Sequence, residues 1–400
     1  MPFYALLIPA LAALIAVCWF QPHILNIAKE KNIVDNPDAR KLQRIPIPVM
    51  GGIAVVFGLM VGVMCFNFFG DFSNMLSVLS AVIVIMLVGL VDDIRGLSPK
   101  IRFVIEIFLV FYLIQATGHQ INNFHGLWGV NVIPEWVSIP LTIFACVGII
   151  NAVNLIDGVD GYSSGYCIMA SIYFAISFFY LGNLKMVALA GIIIASLLPF
   201  FLCNVFGRHS KMFIGDAGTL SMGILISTFV RNMLTSTIDS TIVADNLGLI
   251  PLSLAIMSVP IFDTLRVMGS RIMRGTSPFK PDKTHLHHAF IDLGFSHIGT
   301  TFSILCLNTF VVLCWYVSYK LGASIDAQLY IVIVLSVLIT FVFYWFVQYN
   351  IRKNTRMLSY MKVVGRWTHI ERKGFWGIMQ KWLDRNSTPK EEKEQNEKAA

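Results

Sequence analysis

Long apolar segments alternate with short polar connections through most of the chain, a pattern typical of membrane helices. Each segment holds about twenty apolar residues, enough for a helix to cross the roughly 30 Å hydrocarbon core of a bilayer. We place about eleven such helices at residues 3–27, 49–68, 75–91, 100–117, 136–153, 162–181, 185–204, 217–237, 247–268, 299–320 and 328–349. The pattern predicts an all-α polytopic integral membrane protein, with a transmembrane domain at residues 1–350 and a charged tail at 351–400.

The basic residues fall mainly on alternate connections. The first connection carries Lys29, Lys31, Arg40 and Arg44, whereas the loop at Gly118–Glu135 contains no Lys or Arg. Because cytoplasmic loops of membrane proteins are enriched in basic residues, we expect the basic connections and the C-terminal tail to be cytoplasmic. The aromatic residues of the tail among its basic residues favour an amphipathic surface helix there: Trp367, Phe375, Trp376 and Trp382.

Composition agrees with a membrane protein and excludes several other classes. Hydrophobic residues make up 56% of the chain and charged residues 13%, about half the charged content of a soluble domain. The net charge of +7 is explained by the cytoplasmic loops and the tail, so nucleic acid is not an expected partner. The seven cysteines lie in or beside apolar segments without CxxC pairs, which indicates packing and neither disulfides nor zinc.

Aspartates recur where the apolar segments end. An ionised Asp near the hydrocarbon costs about 2.5–3.5 kcal/mol on insertion scales, so such residues normally have a partner or a function. With the orientation above, all of them lie on the cytoplasmic side: Asp92, Asp93, Asp157, Asp160, Asp216 and Asp263. Carboxylates on one face, near Lys, Arg and His, suit a divalent cation and a phosphorylated substrate. The sequence therefore indicates a membrane-embedded phosphotransferase.

Two motifs contribute most of these carboxylates. Asp92 and Asp93 repel each other unless a cation or a proton intervenes, so one of them is a candidate base. In NxxNxxDGxDG, residues Asn151, Asn154 and Asp157 share one helical face, and glycines then allow a ligand to approach the backbone. A turn between two helices explains the glycines but leaves the asparagines unexplained.

Two further segments carry weaker signals. Asp216 begins a predicted helix and is either a helix cap or a cation ligand, with Phe213 available to stack on a base. The later loop contains Arg274 and the histidines His285, His287 and His288. Without a Cys or a further His this loop does not complete a zinc site, and its basic company favours recognition of phosphate and sugar over a solvated interfacial loop.

Together these motifs resemble the polyprenyl-phosphate N-acetylhexosamine-1-phosphate transferases. The resemblance runs in order from about Asp35 to His288 and includes the Pro260–Thr264 segment PIFDT. The interrupted HxHH form resembles the branch that initiates O-antigen, enterobacterial common antigen or teichoic acid linkage units. The peptidoglycan branch usually has three consecutive histidines and a lysine where this chain has Arg95.

The resemblance implies a reaction and a set of partners. A HexNAc-1-phosphate, with GlcNAc expected, would pass from a UDP-sugar to undecaprenyl phosphate in the bacterial inner membrane, and UMP would leave. Mg²⁺, or Mn²⁺ in its place, would be the cofactor, and a homodimer is compatible with the resemblance. The alternatives are a phospho-MurNAc-pentapeptide transferase or, in another class, a membrane transporter or flippase. A transporter would place its charges nearer the middle of the membrane.

The resemblance also implies residue roles. Asp216 and the amide oxygen of Asn154 would bind the metal ion, while Asp92 would deprotonate or orient the lipid phosphate with support from Asp93. The remaining contacts would be Asn151, Asp157 and Phe213 with Asp160 beside them for uridine, Lys100 and Arg44 for phosphate, and Arg274, His285, His287 and His288 for the sugar.

Overall fold

The computed structural model describes residues 2–37, 45–70, 75–235, 246–278, 282–369 and 374–387. These residues form sixteen α-helices, numbered α1–α16 in chain order: Tyr4–Glu30, Gly51–Phe66, Met75–Arg95, Pro99–Thr117, Glu135–Leu155, Tyr162–Tyr180, Leu184–Phe206, Gly215–Leu234, Leu249–Ile256, Ser258–Met273, Leu286–Asp292, His297–Lys320, Ile325–Val337, Phe343–Lys353, Arg356–Trp367 and Phe375–Asp384. A π-helical turn at Leu338–Val342 joins α13 to α14. Strands β1 (Val34–Asp35) and β2 (Ile47–Pro48) pair antiparallel, with Val34 opposite Pro48.

The multi-pass all-α prediction is confirmed, but the count of eleven spans is not established. Among the described helices, seven are long and apolar enough to cross a membrane when α13 and α14 are taken as one, and the bent pair α9–α10 would be an eighth. Helix α2 has only 16 residues. Helix α4 carries three charged residues, and α8 contains several polar residues although every α8 residue except Asp216 is buried.

The bend between α9 and α10 is stabilised by one amide side chain. The two helices meet at an angle of 71° around Met257. Asn308 of α12 accepts hydrogen bonds from the Val259 N–H at 3.1 Å and the Ser258 hydroxyl at 3.1 Å, and it donates to the Ile256 carbonyl at 3.0 Å. Backbone groups freed inside a membrane need such partners, so Asn308 allows the chain to turn there.

Small residues bring α2, α3 and α8 into close contact. A Cβ atom on Gly52 would lie 2.2 Å from the Gly218 nitrogen, and one on Gly89 would lie 2.4 Å from the Ala217 nitrogen. The Gly52 N–H also donates to the Ile214 carbonyl at 2.8 Å. Glycine at these contacts lets the helix backbones approach, as is common in membrane proteins. The beginning of α8 is thereby fixed against the end of α3.

The tail of the chain continues as helices α15 and α16. Thr368, after α15, accepts a hydrogen bond from the Ser296 N–H at 2.9 Å, which attaches the tail to the start of α12. Trp367 of α15 is 80% exposed and Phe375 of α16 is 70% exposed. Both helices also carry basic residues. The described part of the tail is therefore helical with exposed aromatic residues, and its location as an amphipathic helix at the membrane surface stays a prediction.

We predict that Gly52→Ala destabilises the protein by about 1–3 kcal/mol, because the added methyl group overlaps the backbone of α8. Gly148→Ala is the matched control, since no atom lies within 4 Å of a Cβ there. Thermal unfolding in detergent measures both. Equal melting temperatures for the two variants would contradict the packing argument.

Candidate active site

The two adjacent aspartates at the end of α3 have different partners. Asp93 accepts hydrogen bonds from the N–H groups of Asp216 at 2.8 Å and Ala217 at 3.1 Å, so it caps the N-terminus of α8. Gly215 has φ of +69°, and a Cβ atom on it would lie 2.5 Å from an Asp93 carboxylate oxygen. A carboxylate is favoured at this end of a helix by the backbone N–H groups and the helix dipole. Asp93 therefore joins α3 to the first turn of α8, which carries Asp216.

Asp92 and Asp216 are connected through one arginine. The Nη1 atom of Arg102 lies 3.1 Å from Asp92 Oδ2 and 3.5 Å from Asp216 Oδ2. Asp92 also accepts a hydrogen bond from the Leu97 N–H at 2.6 Å. A single guanidinium between two carboxylates offsets their repulsion. The same N–H groups of the guanidinium can bind a phosphate in place of a carboxylate.

Lys100 and Arg44 are the phosphate contacts expected from the sequence, and the structure describes only Lys100. Lys100 is exposed in the first turn of α4, whereas Arg102, two residues later, reaches the carboxylates. Arg44 lies outside the described residues. Their proposed contacts with phosphate therefore stay predictions, and Arg102 is a candidate that the sequence argument missed.

Asn154 contacts Asp216 directly. Its Nδ2 atom donates to Asp216 Oδ1 at 2.5 Å and to the Thr219 hydroxyl at 2.8 Å. Among the described residues no three His, Cys, Asp or Glu side chains converge as a ready metal group. Oxygen donors from one or two carboxylates still fit Mg²⁺, which completes its coordination with water and substrate phosphates. For Asn154 to join Asp216 as a ligand, its amide must turn to present Oδ1.

Asn151 pairs with a buried glutamate. Its Nδ2 atom donates to Glu106 Oε2 at 2.5 Å and to the Val147 carbonyl at 2.9 Å. Glu106 is completely buried, and its other oxygen lies 3.7 Å from Arg102 Nε. Glu106 is not among the site residues predicted from the sequence, yet a glutamate four residues after an arginine in an apolar helix is a recognisable signal.

The loop after α5 holds two aspartates in different environments. Asp157 accepts a hydrogen bond from the Ser163 hydroxyl at 2.6 Å, and burial raises its pKa to about 7, with the Asp216 charge adding to the effect. Burial would also raise the pKa of Asp160, but the hydrogen bond with His297 and the charge of Lys211 hold it below its ordinary value. Lys211 Nζ lies 2.6 Å and His297 Nδ1 2.8 Å from Asp160 Oδ2. At neutral pH Asp160 is ionised, while Asp157 is near the midpoint of its titration.

The histidine segment packs against this loop. His285 Nδ1 lies 2.9 Å from Asp263 Oδ2, and Asp263 also bonds Arg266 at 2.6 Å. His287 is 3% exposed, and its ring covers Gly158: a Cβ there would lie 2.3 Å from His287 Nε2. Glycine is required at 158 because the imidazole occupies the space of a side chain. The PIFDT motif therefore positions the histidine segment against the DGxDG loop.

The outer part of the histidine segment has a separate set of contacts. Burial and the neighbouring His285 lower the pKa of His288 to about 4, so its imidazole is neutral at pH 7. Arg274 is exposed and bonds Asp282 at 3.2 Å, and Arg271 holds the same carboxylate at 3.0 Å. These arginine contacts hold the pKa of Asp282 below its ordinary value although burial acts the other way. The neutral imidazole of His288 and the exposed guanidinium of Arg274 remain as candidate sugar contacts.

Phe213 lies between strand β2 and helix α8. Its N–H donates to the Pro48 carbonyl at 2.8 Å, and its carbonyl accepts from the Gly51 N–H at 2.9 Å. The side chain is half-buried, so part of the ring remains accessible. The backbone contacts fix the segment that leads to Asp216, and the position suits the predicted stacking role without testing it.

Comparison with known proteins identifies relatives. The model of glycosyl transferase family 4 matches residues 75–233, which include Asp92, Asp93, Asp157, Asp160 and Asp216. The chain is 30% identical over 308 residues to a probable undecaprenyl-phosphate N-acetylglucosaminyl 1-phosphate transferase of Bacillus subtilis, covering 74% of this chain and 82% of that protein. It is 29% identical over 281 residues to the undecaprenyl-phosphate alpha-N-acetylglucosaminyl 1-phosphate transferase of Escherichia coli K12, with 68% and 72% covered. The equivalent protein of Yersinia pestis is 28% identical over 279 residues, with 68% and 73% covered.

We predict that Asp157→Asn becomes increasingly stabilising as the pH rises. The folded carboxyl titrates near pH 7 and an unfolded one near 4, so the folded state holds more protons between these values. Wild-type stability gains from this group below pH 4 and loses that gain as the pH rises to about 7. Asn keeps an acceptor for Ser163 and does not titrate. Melting temperatures of both proteins at pH 5, 6, 7 and 8 measure the difference, and a pH-independent difference would contradict the assignment.

Proposed function

The chain belongs to glycosyl transferase family 4, and we propose that it transfers GlcNAc-1-phosphate from UDP-GlcNAc to undecaprenyl phosphate. The observation that carries the proposal is the convergence of Asp93, Asn154 and Arg102 on Asp216 at one end of a membrane helix bundle, with Asp92 bound to the same arginine. The activity for which the Bacillus subtilis and Escherichia coli relatives are named supports the same reaction. The product would be a polyprenyl-diphosphate sugar that initiates a cell-envelope glycan.

The proposed reaction is a transfer between two anions. An oxygen of the lipid phosphate attacks the phosphorus attached to the sugar, the bond between that phosphorus and the bridging oxygen breaks, and UMP leaves with that oxygen. Such transfers need little covalent chemistry from the protein, because alignment and neutralisation of charge supply most of the catalysis. Arg102, which already bridges two carboxylates, is suited to bind a phosphate when a substrate competes for it.

The acidic groups would divide the work. Asp216 and Asn154 would hold Mg²⁺, which when bound offsets the negative charge of the diphosphate. Asp92 would orient the lipid phosphate or take its proton. Asp93 would keep the start of α8 in place, as its hydrogen bonds to Asp216 and Ala217 suggest. Asn151 and Asp157 would contact the uridine part.

The position of the site suits two substrates that arrive from different phases. Site residues lie at helix ends, where a lipid phosphate at the membrane surface can meet a soluble nucleotide sugar. The basic connections on this side favour a cytoplasmic orientation in a bacterial inner membrane. The contacts of His287 with Gly158 and of His285 with Asp263 support a sugar pocket beside the nucleotide.

The donor is tested with purified protein in detergent. We expect labelled undecaprenyl-diphosphate sugar from UDP-GlcNAc, and little or none from UDP-MurNAc-pentapeptide, because a pocket built on hydrogen bonds to one sugar rejects a donor that leaves its polar groups unpaired. UDP-GalNAc measures selectivity within the HexNAc class. Product from UDP-MurNAc-pentapeptide alone would overturn the proposed donor, and no product from any donor would overturn the proposed reaction.

We expect Asp216→Asn to lower transfer at least tenfold at saturating Mg²⁺, because it removes the charged ligand of the proposed metal site. Asp326→Asn is the matched control: Asp326 accepts a hydrogen bond from the Trp128 N–H at 2.7 Å, far from the site in sequence and structure. Steady-state rates over a series of Mg²⁺ concentrations measure the effect. Nearly full activity for a folded Asp216→Asn variant would count against a metal role.

A further inference from the structure

The C-terminal helix α16 is attached to the protein through a buried carboxylate. Asp384 accepts hydrogen bonds from the N–H groups of Arg208 at 3.1 Å, His209 at 3.0 Å and Ser210 at 2.9 Å. It also accepts one from the Ser210 hydroxyl at 2.7 Å. The partners are 174 to 176 residues earlier in the chain, in the turn after α7. The tail therefore contacts the segment between α7 and α8.

The location of Asp384 is unfavourable for α16 itself. It is the last residue of the helix, where the helix dipole disfavours a negative charge. It is also the buried residue of α16, 5% exposed, while Phe375, Ile378 and Trp382 are 66–70% exposed. An amphipathic helix that served only as a packing element would bury its apolar side chains first. The contact with the turn explains why the carboxylate is buried instead.

The Arg208–Ser210 turn is held through its N–H groups and through a carbonyl group. Asp384 takes its N–H groups, and Lys29 of α1 donates to the His209 carbonyl at 2.9 Å. A Cβ atom on Gly207 would lie 2.2 Å from the Ser210 hydroxyl, so the side chain of Ser210 folds back over the turn. Trp376 stacks on Phe206 at the end of α7, with ring centroids 5.0 Å apart and planes 12° apart. These contacts leave the turn little freedom.

The same segment leads directly into the proposed active site. Lys211, next to Ser210, bonds Asp160 at 2.6 Å. The Met212 carbonyl accepts from Asn204, which in turn accepts from the Gly161 N–H at 2.7 Å. Phe213 then donates a hydrogen bond to Pro48 of β2, and the Asp216 N–H donates to the Asp93 carboxylate. A shift of the turn would therefore move Lys211 and Asp216 together.

From this geometry we propose that Asp384 is a positioning residue for the active site. It holds the Arg208–Ser210 turn and thereby fixes Lys211 and the Phe213–Asp216 segment; the claim of an effect on turnover rests on the proposed transferase function. Asp384 does not touch the reacting atoms. Its role is to hold the segment from Arg208 to Asp216 in one conformation through a contact made by α16.

The test is Asp384→Asn in the full-length protein. The amide keeps one acceptor oxygen, but it replaces the Oδ2 acceptor of the Arg208 N–H by an NH₂ donor and removes the charge that strengthens the bonds to Oδ1. We expect kcat for transfer of GlcNAc-1-phosphate from UDP-GlcNAc to undecaprenyl phosphate to fall at least tenfold. We also expect backbone amides of residues 208–210 and 212–216 to exchange hydrogen faster, measured by mass spectrometry. Asp384→Glu, which keeps the charge, should recover kcat several-fold, and Asp326→Asn should change neither measurement.

Hydrogen exchange distinguishes a failure of this proposal from a failure of the proposed transferase function, because exchange is measured without enzyme activity. Unchanged kcat in Asp384→Asn, or faster exchange confined to residues 208–210, would overturn the proposal. So would a folded Asp384→Glu variant with no recovery. If Asp384→Asn fails to fold, Trp376→Ala loosens α16 while keeping the carboxylate. We then expect a three- to tenfold loss of kcat with faster exchange at 208–216, and wild-type values for both would overturn the proposal.

Discussion

The site depends on the hydrogen bonds from the first N–H groups of α8 to Asp93. These bonds join two helices that are separated by more than a hundred residues, and they fix the position of Asp216 relative to Asp92. Hydrogen bonds of an Asp side chain to the first N–H groups of a helix contribute about 0.5–2 kcal/mol. Gly52, Gly89 and Gly215 make the approach possible, because a Cβ at any of them would meet backbone or the Asp93 carboxylate. Close backbone packing and catalytic geometry are therefore the same constraint at this point.

Two buried polar side chains elsewhere in the bundle also have specific partners. Asn308 satisfies the backbone at the bend between α9 and α10, and Glu106 is held between Arg102 and Asn151. Since unsatisfied polar groups are expensive in a membrane, such residues are retained where they allow a bend or hold a charge. The bundle can thus keep a charged cluster at one end without opening its apolar interior.

The sequence predicted the helices and the acidic motifs because both signals are local. Segment length and hydropathy identify helices, and Asp92, Asp157 and Asp216 stand out as carboxylates at segment ends. The choice of Arg102 over Lys100 was not local: residues two apart on a helix point about 200° from each other, and only the packing of α4 on α3 decides which one faces Asp92. That packing is not visible in the periodicity of an apolar segment.

The role of the tail was hidden for a different reason. Asp384 stands among basic and aromatic residues, so its sequence context indicates a solvated amphipathic helix, and its exposed Trp382 agrees with that interpretation. Its partners, however, are backbone N–H groups, which any sequence supplies, so no side-chain pattern marks the Arg208–Ser210 turn as their location. A carboxylate that binds backbone leaves no complementary residue to find. Long-range contacts of this kind follow only from the fold, and here they connect the last described helix to the loop that carries Asp216.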